Sequence, residues 1–485
     1  MDSKKKRIGL FILYFAALYC GLLFMHYATD TYGNLYSDNA KWQLAVGRYS
    51  IYFLSKIFVF FKISLIKYQQ IFMLFSIGIL GVAAEMMFSS FEQMVGEKNT
   101  IILYLLSCLA LGNAYSTELY LFPEYTLYNS LGVFLAVLAF VLFKCMSRKK
   151  MLISCVVLII SLGFYQANIG IFIVLCMTFI LLYKGEKKYF ELLFEMCLCA
   201  GGASIFNIAI KKILIRMNVT EAISRDAKLT VSTVISNLKT IIAEQKNILL
   251  LGDNLLPKYS LCIILAIGLV CLIYCMKKNN KNIIYILTTL VYLGICYLSV
   301  YAPHLIAGNV WLSPRTITPV FVFITCIFIC VCVYMREKRS CINKILLICV
   351  FTFCIIDFWE VQGIIQNHIA TNKIDQEYAY DIYSELLRYE NETGNNIKKI
   401  ATVNDAVPLW KNRYVDFYSY NVNERAYINE WSDVSLIEFV SGKMFEKVEM
   451  DNDIFEQYFK GKDWDYYCPE EQLYFKDDTM YWCKY

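Results

Sequence analysis

About eleven apolar segments occupy the first three quarters of this chain, and no other sequence feature limits its fold as strongly. A run of roughly 20 apolar residues is long enough to cross the hydrocarbon core of a bilayer as a helix. Because lipid offers no water to backbone N–H and C=O groups, a chain this apolar has to cross it in helical form. The segments lie near residues 8–26, 68–88, 100–115, 126–145, 151–166, 168–183, 190–212, 259–276, 283–303, 316–335 and 342–360.

The composition also indicates a membrane protein. Of the 485 residues, 58% are hydrophobic, and the mean hydropathy of +0.47 is too high for a soluble protein of this size. Four basic residues at positions 4–7 precede the first apolar run, as in a signal peptide. No small-residue cleavage site follows, so we expect this run to be kept as the first helix.

Lysine and arginine collect on every second loop between the segments. Since basic loops face the cytoplasm, this pattern predicts a multi-pass protein of the cell membrane with a cytoplasmic N-terminus. An odd number of spans then places the C-terminal region outside the cell. The basic groups are Lys4 to Arg7, Lys144 with Arg148, Lys149 and Lys150, Lys184 with Lys187 and Lys188, Lys277 with Lys278 and Lys281, and Arg336 with Lys338 and Arg339.

Charge divides the chain into two parts. Residues 361–485 carry 13 Lys and Arg against 23 Asp and Glu, whereas the whole chain carries 46 against 41. We therefore predict a transmembrane domain over 1–360 and an extracytoplasmic domain over 361–485. The predicted fold class is an all-α polytopic membrane protein of about eleven transmembrane helices with a small C-terminal α+β domain. The basic excess lies in membrane-flanking loops and does not indicate nucleic-acid binding.

Local patterns predict several elements outside the spans. Residues 49–66 are amphipathic and suit a helix lying in the membrane interface, and 229–251 shows helical periodicity. Residues 375–390 predict a polar helix and 399–403 a strand. The last stretch, 471–485, alternates apolar and polar residues around Asp477-Asp478, which predicts a hairpin.

Several enzyme classes find no support in the sequence. There is no Walker loop, GxGxxG element, His-Glu-x-x-His motif or serine nucleophile elbow. Most of the 19 cysteines lie in apolar segments, without zinc-binding spacing. We therefore predict no cofactor, and a divalent metal is left open without support from the sequence. Cys468 and Cys483 are the cysteine pair of the tail, and a disulfide between them is left open because it requires an oxidising exterior.

The ionisable residues of the predicted outer loops are the candidates for chemistry, because the apolar segments contain few ionisable residues and these residues cluster at one membrane face. Asp30 and Asp38 follow the first segment. A carboxylate partly shielded from water has a raised pKa and can act as a general base toward a sugar hydroxyl. The alternative is that both are ordinary solvated acids of an outer loop.

Two arginines stand at predicted outer helix ends, Arg48 in Gly47-Arg48-Tyr49 and Arg315 in Ser313-Pro314-Arg315-Thr316. A guanidinium binds phosphate through a fixed fork of donors. The alternative is an anchor that snorkels to lipid headgroups. His304 lies on the same predicted side and either contacts a phosphate or caps a helix.

The remaining candidates would bind substrate. Glu118 and Glu124 occupy the second outer turn, and Glu124 directly precedes an apolar helix, where a negative charge also serves as a cap. The turn at Tyr165-Gln166-Ala167-Asn168 carries amides that bond either sugar hydroxyls or neighbouring backbone groups. Trp42, Trp311 and the tyrosines, among them Tyr165, can stack on sugar rings or anchor the chain at the interface.

These motifs together resemble the polytopic bacterial and phage glucosyltransferases of serotype conversion, the type-two Gtr family in the GT-C-like class. The resemblance rests on the basic N-terminus, the acidic residue after the first helix, Gly47-Arg48-Tyr49, Gly163-Phe164-Tyr165-Gln166, Pro314-Arg315 and the tail hairpin. The family usually shows an adjacent acidic pair after the first helix. Here Asp30 stands alone and Asp38 is displaced, so either of them can match.

The resemblance implies transfer of a sugar, commonly glucose, from a polyprenyl-phosphate donor to a cell-surface glycan on the outer face. Asp30 or Asp38 would be the base, and Arg48 and Arg315 would hold the departing lipid phosphate. Direct displacement would invert the anomeric centre. The scheme requires no metal, although some GT-C enzymes use one.

Two other function classes compete with this interpretation. A flippase or transporter would need polar residues at the bilayer midplane, for which Glu85 and Asn207 are the nearest candidates. A polysaccharide polymerase or ligase would act on the same outer face with a diphosphate-lipid substrate.

Overall fold

The computed structural model describes residues 2–36, 40–185, 188–335, 341–412, 415–416, 418 and 422–485, and most of them are helical. Asp38 therefore lies outside the described residues. In chain order the helices are α1 Asp2–Leu18, α2 Thr29–Tyr36, α3 Ala40–Ala45, α4 Tyr49–Phe60, α5 Gln69–Val95, α6 Thr100–Leu111, α7 Ala114–Tyr120, α8 Thr126–Lys144, α9 Arg148–Phe164, α10 Asn168–Leu182, α11 Tyr189–Arg216, α12 Val231–Gln245, α13 Ser260–Lys278, α14 Ile283–Ser299, α15 Ala302–Leu305, α16 Pro319–Tyr334, α17 Cys341–Thr393, α18 Asp433–Ser441, α19 Asn452–Ile454 and α20 Pro469–Gln472.

The chain forms two compact units. The first takes in α1, α3 to α16 with most of their loops, and α17 as far as Gln362. The second begins at Phe24, takes in α2 and the Leu121–Glu124 turn, and continues from Gly363 to Tyr485. Residues from the first two predicted outer loops thus belong to the second unit, an arrangement that the sequence did not indicate.

Each predicted apolar segment contains a helix of the first unit. Within the described part of the chain, five helices are long and apolar enough to cross a membrane: α5, α8, α11, α13 and α17. The pair α6 and α7, bent by 45°, makes a sixth if it is one broken span, and α4, α10, α14 and α16 are shorter apolar helices. Large apolar side chains on α11, α14 and α17, such as Phe190, Ile284 and Trp359, are exposed on the unit's surface. This surface is consistent with membrane association.

Helices α8, α10 and α16 form the interior of the first unit. Nearly every side chain of α16 is buried, as expected for a helix that is apolar on all sides. Helix α10 approaches α16 closely at Gly170, where a Cβ atom would lie 2.7 Å from Cγ of Pro319. Glycine at this position lets two helices without charged residues pack side by side.

The two polar residues that favoured a transporter have structural partners. The buried carboxylate of Glu85 accepts from Arg7, with 3.1 Å between Oε1 and Nη2. The amide of Asn207 donates to the carbonyl of Gly47 at 3.3 Å. Both contacts join elements of the first unit to one another, so neither residue supplies evidence for a transport path.

The last predicted span and the polar helix of the tail are one continuous helix, α17, of 53 residues. The sequence pattern predicts two separate helices, divided where the residues change from apolar to polar. No proline lies between Cys341 and Thr393, so the helical hydrogen bonding can continue through the change from apolar to polar side chains.

The second unit carries a four-stranded sheet of β1 Lys399–Asn404, β2 Glu446–Val448, β3 Leu473–Lys476 and β4 Thr479–Lys484. The strand order is β2-β1-β4-β3, with β1 parallel to both neighbours and β3 antiparallel to β4. The predicted strand and hairpin are confirmed, and Asp477 makes the turn with φ of 53°. Cys468 and Cys483 are both free thiols.

Asp433 at the start of α18 joins the helix to three strands. Its carboxylate, which is 1% exposed, accepts from Thr402 of β1 at 2.8 Å, Lys447 of β2 at 2.8 Å and Lys484 of β4 at 2.6 Å. The side chain of Lys484 is fully buried. A buried ammonium needs a counter-ion, so this carboxylate holds the sheet and α18 together.

We predict that Asp433→Asn lowers the free energy of unfolding of the full chain by about 3 kcal/mol, because Lys484 then stays buried without its counter-ion. Urea unfolding in detergent, followed by far-UV circular dichroism, measures the change. The matched control is Asp478→Asn, which breaks a surface ion pair with Lys399 and should have little effect. Equal stability of the two variants would contradict the proposed role of Asp433.

Candidate functional site

A cavity of about 390 Å³ opens in the first unit where several helices end. Its walls come from the turn before α4, the turn between α9 and α10, the C-terminal part of α11, the loop after α11, and the segment between α14 and α16. The residues with polar side chains along it are Arg48, Tyr165, Gln166, Ser204, Asn207, Lys211, Lys212, Arg225, Asp226, His304, Asn309, Trp311 and Thr316.

Two amide side chains fix the turn that carries Arg48. Gln166 donates from Nε2 to the carbonyl of Val46 at 2.8 Å, and Asn207 donates to the carbonyl of Gly47. Gly47 has φ of +77°, and a Cβ atom there would lie 2.9 Å from Nε2 of Gln166. Glycine is therefore required on two grounds, and the turn places Arg48 at the N-terminal end of α4.

The guanidinium of Arg48 lies over the ring of Tyr165, with 4.7 Å from Cζ to the ring centroid. Tyr165 ends α9 and is buried. The ring holds the guanidinium by a cation–π contact.

Trp311 contacts two further guanidinium groups. The Cζ atoms of Arg225 and Arg315 lie 4.3 Å and 4.9 Å from its ring centroid. Partial burial and then the charge of Arg315 lower the pKa of Arg225. Like charges are thus held together beside an aromatic ring, and an anion would relieve their repulsion.

Glu118 fixes the backbone at Arg315. Its fully buried carboxylate accepts the N–H of Arg315 at 2.9 Å, and its other oxygen lies 3.9 Å from Nη1 of the same residue. Pro314 opens the short 3₁₀ turn that carries Arg315. Glu118 therefore positions the arginine and partly balances its charge.

Cations outnumber anions along the cavity wall. Among the described residues of the lining, Arg48, Lys211, Lys212 and Arg225 are basic and Asp226 is acidic. Lys211 forms an ion pair with Asp226. Guanidinium groups that converge on one space suit phosphate or carboxylate. Within the described residues, no three His, Cys, Asp or Glu side chains are grouped so as to hold a metal ion.

His304 lines the cavity as a neutral residue. Burial lowers its pKa to about 4, against the opposing hydrogen bond to the carbonyl of Thr316 at 3.4 Å. Asn237 donates to the carbonyl of His304 at 3.0 Å and fixes its backbone. The imidazole therefore shapes the cavity wall and adds no positive charge at neutral pH.

The acidic candidates Asp30 and Glu124 belong to the second unit. Glu124 is buried and accepts from Thr31 at 2.8 Å and Asn34 at 2.9 Å, both on α2. Burial, and then the charge of Asp30 in the first turn of the same helix, raise the pKa of Glu124 to about 7. The residue at the N-terminal cap of α8 is Tyr125 and not Glu124.

The structure brings together most of the candidates for phosphate and sugar binding. Arg48, Tyr165, Gln166 and His304 line one cavity, and Arg315 stacks on its Trp311. Trp42 is about half exposed and is not part of the lining.

Three cationic residues of the wall, Lys211, Lys212 and Arg225, were not among the candidates from the sequence. Arg225 lies in the long loop after α11, and its only sequence signal is a positive charge in a predicted outer loop. Lys211 lies near the end of α11, where a basic residue is usually an interface anchor.

Comparison with known proteins gives one match. A family model described as Glucosyl transferase GtrII matches residues 19–332, about two thirds of the chain. This range includes the whole cavity lining and also Asp30 and Glu124. No curated protein and no solved structure matched.

We predict that Gly47→Ala destabilises the chain by about 1–2 kcal/mol, because alanine disfavours positive φ and its Cβ displaces Gln166. Thermal unfolding in detergent measures the change. Gly294→Ala is the matched control, since Gly294 lies in α14 with open space around its Cα. A loss of stability as large in the control as in Gly47→Ala would contradict this account of the turn.

We also predict that Glu124 makes stability depend on pH. Its folded-state pKa of about 7 lies above the ordinary value of 4.5, so the folded chain holds this proton more tightly. The contribution is full below about pH 4.5 and is lost as the pH rises through 7. The melting temperature should therefore fall between pH 5 and pH 8, and less so in Glu124→Gln. Glu221→Gln, a loop variant, should follow the wild type, and parallel profiles for all three would contradict the prediction.

Proposed function

This chain belongs to the GtrII glucosyl transferase family, and on that premise we propose that it moves glucose from a polyprenyl-phosphate donor to a cell-surface glycan. Its partners are then the lipid-linked donor, the glycan acceptor and the membrane lipid. The observation that carries the proposal is the cationic cavity, in which Arg48 lies on Tyr165 and Arg315 on Trp311.

The arginines act on the leaving group. When the bond between the anomeric carbon and the phosphate oxygen breaks, the lipid phosphate gains a second negative charge. Donors already aimed at that position stabilise the charge more in the transition state than in the ground state, which is what accelerates the reaction. Arg48 and Arg315 are the proposed phosphate ligands, and the aromatic rings and Glu118 hold them without reorganisation.

Asp30 is the proposed general base. It takes the proton of the acceptor hydroxyl while that oxygen attacks the anomeric carbon from the side opposite the phosphate, so the configuration inverts. Glu124 supports this role, since a carboxyl with a pKa of about 7 is partly protonated at neutral pH and repels Asp30 less. Asp38 stays the alternative base.

Tyr165, Gln166, His304 and Glu124 complete the proposed substrate-binding set. Gln166 and His304 line the cavity with polar groups and no charge, which suits sugar hydroxyls next to the phosphate. Tyr165 offers an apolar ring to the sugar and holds Arg48.

The proposed topology has all eleven apolar segments in the membrane, a cytoplasmic N-terminus and an extracytoplasmic domain over 361–485. The alternation of basic loops supports it, and each segment contains a helix. The reaction would then take place at the outer face, where the turns at Arg48, Tyr165 and Arg315 are expected.

A polysaccharide polymerase or ligase is the second candidate function. The observation that favours it is the number of cations at the cavity, because Arg48, Lys212, Arg225 and Arg315 suit a diphosphate as well as a monophosphate. Activity with a purified polyprenyl-monophosphate glucose decides between the two functions.

We expect Asp30→Asn to lower kcat at least about 100-fold with little change in donor KM, because a general base acts only in the chemical step. Arg48→Ala and Arg315→Ala should raise the donor KM and lower kcat as well. Transfer of labelled glucose in membranes measures both constants, and detergent extraction with size exclusion verifies folding. If Asp38→Asn is inactive and Asp30→Asn is not, Asp38 is the base. If neither loses activity, the proposed base is wrong.

A further inference from the structure

The loop between α11 and α12 forms one wall of the cavity, and Asp226 locks it in place. We call residues 217–230 the strap. The carboxylate of Asp226 takes the ion pair with Lys211 and accepts the N–H of Ile223 at 3.1 Å. Its carbonyl accepts the N–H of Gly308 at 2.9 Å. Asp226 thus connects the strap to α11 and to the segment before α16, and it also bonds within the strap through Ile223.

Backbone pairing with the segment around Gly308 completes the attachment. Ala227 and Ala307 form an antiparallel bridge, and Lys228 donates its N–H to the carbonyl of Ile306 at 2.8 Å. A Cβ atom on Gly308 would lie 2.5 Å from the carbonyl oxygen of Ser224 and 2.8 Å from that of Asp226. Only glycine permits the two backbones to approach this closely.

The strap delivers Arg225 to the cavity. Its guanidinium lies on Trp311 and close enough to Arg315 for the two charges to interact. In the described part of the chain Arg225 forms no salt bridge. The charge of Lys211, by contrast, is balanced by Asp226. Several backbone contacts of the strap therefore hold Arg225, which has no salt bridge, close to the second cation, Arg315.

We propose that Arg225 is a third guanidinium ligand of the lipid phosphate, and that Asp226 and Gly308 are the residues that position it. The inference rests on the proposed polyprenyl-phosphate donor and deepens it. A phosphate held between Arg225 and Arg315 neutralises two cations that otherwise repel each other. Its negative charge grows as the sugar leaves, so the contact strengthens as the reaction proceeds.

The test is binding of a synthetic polyprenyl phosphate to the full chain in lipid nanodiscs, together with the donor KM. Arg225→Ala should weaken binding about 10- to 100-fold, as expected for loss of a charged hydrogen bond. Arg225→Lys should give an intermediate value, since lysine keeps the charge and loses the fork. Arg216→Ala is the matched control, because Arg216 ends α11 and is not part of the lining.

Gly308→Ala tests the strap without changing the arginine. It should weaken binding as much as Arg225→Ala does, and the double variant should be no weaker than either single one. A purely structural role would lower stability and would not produce this non-additivity. Asp226→Asn, which removes the ion pair with Lys211, replaces Gly308→Ala if that variant does not fold.

The measurements distinguish the proposed role of Arg225 from the proposed polyprenyl-phosphate donor. If Arg48→Ala and Arg315→Ala weaken binding while Arg225→Ala binds like the wild type, the inference about Arg225 is wrong and the proposed donor stands. If the wild type does not bind polyprenyl phosphate, both are wrong. Additive effects of Gly308→Ala and Arg225→Ala would overturn the positioning role of the strap.

Discussion

Hydrocarbon cannot hydrogen-bond to a peptide backbone, and this constraint determines where the chain can place its functional groups. The long apolar helices satisfy their own N–H and C=O groups and carry few charged side chains. Polar residues therefore gather where helices begin or end, as Arg48 does before α4, Tyr165 after α9 and Arg315 before α16. The cavity is the space between these ends, and its composition follows from the same constraint.

The cavity concentrates like charges, which is unfavourable unless other groups offset the repulsion. Tyr165 and Trp311 do so through their rings, Glu118 through the backbone N–H of Arg315, and Asp226 through Lys211. None of these partners cancels the cationic excess fully. A site of this kind is organised before the ligand arrives, so it can stabilise negative charge that develops on a bound group without reorganising.

Much of the fold follows from sequence patterns, because hydrophobic length and strand alternation are local signals. They predicted the apolar helices, β1 and the terminal hairpin. Arg48, Tyr165, Gln166 and His304, which the structure places along one cavity, were also predicted as candidates from their positions at helix ends. Arg225 was not, because its position depends on pairing between Ala227 and Ala307, which are distant in sequence. The partners of Glu124 on α2 were missed for the same reason, since an acid before a helix looked like a cap.

The indole of Trp311, which contacts two guanidinium groups, has a consequence for spectroscopy. Emission from an indole shifts with the electric field across its ring, and the charges of Arg225 and Arg315 lie close enough to this ring to contribute to that field. An anion that screens these charges changes the field, so occupancy of the cavity is readable as a change in fluorescence without any added label. The chain has seven tryptophans, and a Trp311→Phe difference spectrum isolates the signal of this ring.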